Sequence, residues 1–458
     1  MSYYAALHCL LCLGFLGTVP LMGANAAASL GSTCHADLAA TPMPNAGDSS
    51  QPLLEKDLPQ LAQLPKPQDL ESLAKPCHDL ALFSALPGLS ETRVEEDGAM
   101  APGDIHSPSS WEQNQLSQQT AHEDDRLTPA ERSEVFTQAA FLQQGDETSA
   151  RLRTGGTYVL SPSVFAGATV DLSTGEAFSD TDETGLSLNE LYLTASPANL
   201  SQLRFSVGLL DLTSYLDRNS FAKDSLTQFF NPVFQTNPAL STVNVASRPG
   251  ALVNYTPVDE LSLTAATYSS RKGLGDFSLD SFAGEVGLRF GNAILRGTYV
   301  TSRDGGQEDG FEEIFSIDRG NGQFGPLPGD REESFGLNGE VFIPDINLGL
   351  FGRYGWYTNT DLGVSGQTYS LGVNALDVFL PNDRLGLGYG RQLSNDDLRQ
   401  NLDNPVPDVW ELFYDAEVID HLRAGFSVQQ RNAWTETYLG FRVRYDLRWT
   451  NLIQEGES

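Results

Sequence analysis

From residue 151 onward, apolar and polar side chains alternate with period two, in segments that recur roughly every 15 to 25 residues between turn signals. In 202–209, Leu203, Phe205, Val207 and Leu209 share one face and Gln202, Arg204 and Ser206 the other. In 282–290, Phe282, Val286, Leu288 and Phe290 oppose Glu285 and Arg289. In 335–343, Phe335, Leu337, Val341 and Ile343 oppose Asn338 and Glu340. In 410–418, Trp410, Leu412, Tyr414, Ala416 and Val418 oppose Glu411, Asp415 and Glu417. In 437–449, Leu439, Phe441, Val443, Tyr445, Leu447 and Trp449 oppose Arg442, Arg444, Asp446 and Arg448. Such alternation predicts strands with one apolar and one polar face.

A soluble sandwich alternates in the same way, with its apolar face inward. Two features favour a membrane barrel. Aromatic residues gather toward the segment ends on the apolar face: Tyr255, Tyr268, Tyr299, Tyr369, Tyr389, Trp410, Tyr445 and Trp449. Girdles of this kind sit at the two membrane interfaces. Connections also alternate between short turns (197–199, 257–259, 291–292, 344–345, 381–383, 420–421) and longer loops (174–186, 211–247, 269–280, 302–333, 358–366, 393–408, 430–436). The fold class is therefore all-β, a transmembrane antiparallel barrel. Fourteen segments run from Val164 to Trp449, and 148–161, with Gly155-Gly156 as a tight turn, adds a hairpin to make 16 strands. Barrels of about 16 strands leave an aqueous channel.

Upstream, the texture changes. Leu10 to Ala28 is an apolar run ending near Ala24-Asn25-Ala26, which reads as a signal peptide over 1–26, although the first basic residue is Lys56. Residues 27–147 read as an acidic, Pro-rich periplasmic segment. Thr128-Pro129-Ala130-Glu131 combines a capping box with proline at the first helical position, which predicts a helix near 129–144, with Val135, Phe136, Ala139, Ala140 and Leu142 as a partial apolar face. The barrel domain is then 148–458. Cys34 and Cys77, each followed by histidine, read as one disulfide in preference to a Cys2His2 metal site, because adjacent Cys-His pairs lack finger-type spacing.

The chain of 458 residues carries 60 acidic and 28 basic side chains, a formal charge of −32. That balance argues against nucleic acid as a partner. His421 is the sole histidine after residue 150, so a Ser-His catalytic pair at the outer rim is not expected. No catalytic residue, cofactor fingerprint or metal cluster is read.

The polar faces then line water. Glu190, Arg204, Glu285, Arg289, Arg296, Glu340, Arg353, Glu411, Asp415, Arg442 and Arg444 are the candidate pore-lining residues, beside the further polar-face residues Glu417 and Arg423. Opposed arginine and carboxylate rows hold planar hydrogen-bonding forks across a lumen and can replace the hydration of a solute's hydroxyls. The loop 211–247 is too aromatic to hang in water. It is expected to fold over or into the pore, with Asp217, Arg218, Asn219, Phe221, Phe229 and Asn231 as constriction residues.

Residues 189–192 (Asn-Glu-Leu-Tyr), 211–215 (Asp-Leu-Thr-Ser-Tyr), 217–222, 227–229, 237–240 and 411–415 (Glu-Leu-Phe-Tyr-Asp), in that order, resemble the carbohydrate-selective porins of the OprB type, particularly cyanobacterial ones. The resemblance covers about 151–449. It implies a 16-stranded outer-membrane channel for passive uptake of sugars and similar small solutes in a Gram-negative-type cell. The implied partners are outer-membrane lipid and small sugars or other hydrophilic solutes; a homo-oligomer and a monomer are both open, since porins of this size are often trimers while OprB-type channels also work singly. Residues 27–150 do not resemble the N-terminal envelope-anchoring repeat of many cyanobacterial members, and cell-wall contact through this segment belongs to the envelope-anchoring reading. A general ion-conducting porin and an envelope-anchoring structural barrel are the competing readings.

Overall fold

A computed structural model of the protein describes residues 133–178, 184–273, 275, 277–306, 310–320 and 322–449. The signal segment, Cys34, Cys77 and the capping box at 128–131 lie outside these residues. Sixteen antiparallel strands close into a barrel. They are β1 (Glu134–Gln144), β2 (Glu147–Ser161), β3 (Val164–Thr174), β4 (Gly185–Ala195), β5 (Leu203–Asp211), β6 (Ser247–Val258), β7 (Leu261–Tyr268) and β8 (Ser281–Phe290). They continue as β9 (Ala293–Arg303), β10 (Arg331–Ile343), β11 (Leu348–Asn359), β12 (Val364–Leu376), β13 (Arg384–Ser394), β14 (Asp408–Ile419), β15 (Leu422–Arg431) and β16 (Glu436–Arg448). Each strand pairs with its sequence neighbours, and β1 closes the ring against β16 from Phe136↔Arg448 to Gln144↔Gly440.

The strand number matches the expectation, but the first hairpin does not. Residues 134–144 form a strand, not the end of a helix over 129–144, so the barrel begins at Glu134 rather than at 148. An open ring would leave the edges of β2 and β16 unpaired, and β1 satisfies both. Its alternation is hidden because inward Ala140 and Leu142 are apolar; they pack against the phenylalanines of a loop inside the barrel. Gly155-Gly156 is no turn either. It lies within β2, where a Cβ on Gly156 would come within 2.3 Å of the Glu134 carbonyl oxygen.

The outward face is apolar: Leu193, Phe205, Val207, Val286, Phe335, Leu371, Leu412, Phe426 and Leu439 are all exposed. Aromatic contacts band it, including Tyr299 with Phe335, Tyr354 with Trp356, and Tyr389 with Trp410. Tyr268 is an exception to the predicted girdle. It points inward, fully buried, and its hydroxyl donates to the Val243 carbonyl. The alternation of connection lengths also has exceptions. The end carrying the long loops has four-residue connections at 360–363 and 432–435, while the opposite, terminal end has seven-residue ones at 196–202 and 377–383.

Candidate functional site: the lumen and its inner loop

The β5–β6 connection, 212–246, runs across the inside of the barrel. Its chain contacts side chains of β8, β10, β11, β12, β14, β15 and β16, so it reaches the wall opposite its own origin. Short capped turns build it. Asp211 accepts from the Thr213 amide, Asn231 from Val233 and Asn237 from Ala239, each starting a brief helical turn.

Wall side chains hold this loop by its backbone. Glu285 accepts from the Asp217 amide at 2.7 Å. Glu340 accepts from the Ser220 amide at 2.5 Å. Glu411 accepts from the amides of Phe230 and Asn231 at 2.6 and 2.9 Å. In the other direction, Arg353 donates to the Phe234 carbonyl at 2.6 Å, and Arg442 to the carbonyls of Ser225 and Gln228 at 2.7 and 2.5 Å. Such bonds satisfy backbone groups that would otherwise be stranded away from water.

Asp217 is the hub. It has φ of +51°, in the left-handed region that few non-glycine residues occupy. Its carboxylate meets Arg353 at 3.2 Å with both side chains 1% exposed, and accepts from the Asn237 amide and the Asn338 side chain. Arg296 pairs with Glu340 at 2.8 Å.

Phenylalanines seat the same loop. Phe229 lies tilted against Phe234 and edge-on to Phe351 and Phe413, at centroid separations of 4.4, 5.4 and 4.7 Å. Glycines in the wall make room for them. A Cβ on Gly388 would lie 2.7 Å from Phe229, and one on Gly349 only 2.1 Å from Phe221. The glycine run 386–390 therefore serves the loop's aromatic rings.

All eleven predicted lining residues occupy inward positions, but the structure divides them. Glu285, Arg296, Glu340, Arg353, Glu411, Asp415 and Arg442 are buried; most bind the loop directly, and Asp415 meets Arg423 and Arg442 at 2.6 and 3.0 Å. Glu190 lies at a bulge in β4, where it accepts from Thr169. Arg204 and Arg289 are half-buried. Arg444 alone of the eleven borders the open cavity. Among the predicted loop residues Asn219 borders it as well, whereas Asp217, Phe221, Phe229 and Asn231 are buried against the wall and Arg218 is half-buried.

That cavity has a volume of about 610 Å³. Its lining extends from Glu134 and Arg448 at the terminal end to Lys272 and Gly310 at the long-loop end. The wall is formed by β1, β2 and β16, with Arg384 of β13 and Arg248 of β6, and the loop turns its polar residues toward it: Lys223, Asp224, Thr227, Gln228 and Thr236. Arg151, Arg153, Lys223, Arg248 and Arg384 were missed from sequence. For Arg151 and Arg153 the signal was present as alternate positions of one segment, and was lost when that segment was read as a hairpin. Burial lowers the Lys223 ammonium to about 8.

No protein-family model and no curated protein matches the chain. Its backbone course is similar to that of solved outer-membrane proteins. Pseudomonas putida OprB is 14% identical with a TM-score of 0.49, covering 69% of this chain and 93% of that one. A loop-deletion variant of Vibrio cholerae OmpT is 13% identical with a TM-score of 0.48, covering 69% and 99%. Salmonella typhi OmpF is 12% identical with a TM-score of 0.45, covering 69% and 97%.

Proposed function

We propose that this protein is an outer-membrane channel for passive diffusion of small hydrophilic solutes, carbohydrates among them. One observation carries the reading: a polar cavity reaches from one end of a closed barrel to the other, inside a wall whose outer face is apolar. A closed barrel with an apolar exterior satisfies its backbone in hydrocarbon and has no edge. The inner loop sets the bore, because it occupies the lumen volume that 16 strands would otherwise leave to water.

His421, the only histidine among the described residues, lies in the β14–β15 turn against Tyr445. Glu285, Glu340 and Glu411 are engaged with loop amides and Asp415 with arginines.

Two measurements test the proposal together. Purified protein in a planar bilayer should show a steady open conductance, and proteoliposomes should swell in isotonic sugars with rates that fall with sugar size. Ion conduction without sugar flux would reassign it as a general ion porin. An electrically silent barrel would make it a structural envelope protein.

A further inference from the structure

The chain as a whole is strongly acidic, with formal charge −32, yet the described wall of its cavity is basic. Eight basic side chains border it against four acidic ones. Both lysines that occur after residue 150, Lys223 and Lys272, are among the eight.

The basic groups are arranged by strand register. Arg151 of β2, Ala140 of β1, Arg444 of β16 and Arg423 of β15 are successive cross-strand partners in one row. Ala140, the short member, is covered by the loop phenylalanines, and of this row Arg151 and Arg444 border the cavity. Arg153 stands opposite Gln138 one inward step along, and Arg384 approaches from β13. Carboxylates fix several of these forks: Asp171 holds Arg153 at 2.7 Å, Asp415 holds Arg423 at 2.6 Å and Asp446 holds Arg444 at 2.6 Å. Arg384 borders the cavity and makes no hydrogen bond or ion pair among the described residues.

We propose that the lumen prefers anions, and that the basic side chains bordering the cavity, Arg384 and Lys223 among them, form a transit site for small oxyanions, namely carboxylated or phosphorylated polyols. This rests on the channel reading above. A guanidinium fork matches planar or tetrahedral oxyanions, the Arg384 side chain borders the cavity without a carboxylate fixing it, and Lys223 adds charge without fixed geometry. Acidic groups outside the bore matter less. At about 0.1 M salt the Debye length is about 10 Å, so charges farther away are screened while those lining the lumen act at contact.

The experiment is a bilayer reversal potential for the full chain across a KCl gradient near 0.1 M, followed by block with gluconate and, for comparison, glucose at equal concentration. The expected result is a chloride-selective sign, with gluconate reducing chloride current more strongly than glucose. Arg384→Gln and Lys223→Gln should each lower the chloride-to-potassium permeability ratio by about threefold, as removal of one contact charge predicts. Either variant alone suffices should the other fail to show the heat-modifiable band of a folded barrel. A cation-selective or unselective conductance, or equal block by gluconate and glucose, overturns the anion inference and leaves the channel reading intact. Absence of any conductance overturns both.

Discussion

The inner wall has two sectors built from the same alternation, and they do different work. From β8 to β14, Glu285, Glu340, Arg353 and Glu411 and the glycines at 349 and 388 are covered by the loop 212–246, while Arg384 of β13 borders the cavity. From β16 through β1 to β2, Arg442 is still buried beneath the loop, whereas Arg151, Arg153 and Arg444 border open space. In the first sector charge is used for attachment: Glu285, Glu340 and Glu411 accept loop amides, and Arg353 and Asp217 form a pair with almost no water contact. In the second, Arg151, Arg153 and Arg444 face the cavity. A polar residue on the inner face of a barrel is therefore a pore residue only where nothing else folds onto it.

Removing what covers the first sector should have the largest effect. Deletion of 219–240 should raise single-channel conductance severalfold and relax the size limit for sugars; unchanged conductance would show that the loop does not set the bore. A point change should do nearly as much. Gly388→Leu places side-chain atoms where Phe229 and Phe234 now lie, and should lift the loop while leaving the strand ladder paired. Noisy, enlarged currents with an intact folded band on gels are the readout.

Next in size is Arg353→Ala. It strands the buried Asp217 carboxylate and the Phe234 carbonyl, at a cost of about 3–5 kcal/mol to loop seating. Trypsin should then cut after Arg218 or Lys223 in the folded protein, and resistance equal to wild type would count against the anchoring role. Glu411→Gln is milder, because the amide oxygen still accepts one of the two backbone N–H groups; about 1–3 kcal/mol is expected. Digestion rates should rank the two variants in that order.

The smallest effect is a pH dependence in the open sector. Lys223 is protonated below its lowered value of about 8 and neutral above it. Raising pH from 7 to 9 should therefore weaken chloride preference, and Lys223→Gln should remove that dependence. A pH response that survives in Lys223→Gln would place it on another group.

Much of the fold was legible because a membrane barrel writes its two faces into alternate residues. Phe282, Val286, Leu288 and Phe290 read correctly as outward, opposite Glu285, because nothing in the barrel disturbs β8. The pattern broke where the inner face is itself apolar. Ala140 and Leu142 in β1, and Tyr268 in β7, look inward onto a loop core, so β1 read as a helix and Tyr268 as a girdle residue. The same loop hid which charges meet water. Glu411 and Arg444 carry the same signature in sequence, yet one is bonded to loop amides and the other borders the cavity.

The sequence by itself determined the fourteen strands from Val164 onward, the direction of most of their faces and the polar character of the interior, since these follow from local period and turn chemistry. Tertiary structure alone decided where β1 closes the ring, how the loop crosses the lumen and which arginines line it. Those depend on contacts between residues as far apart as Asp217 and Arg353, and no local pattern records which distant strand a loop will bind.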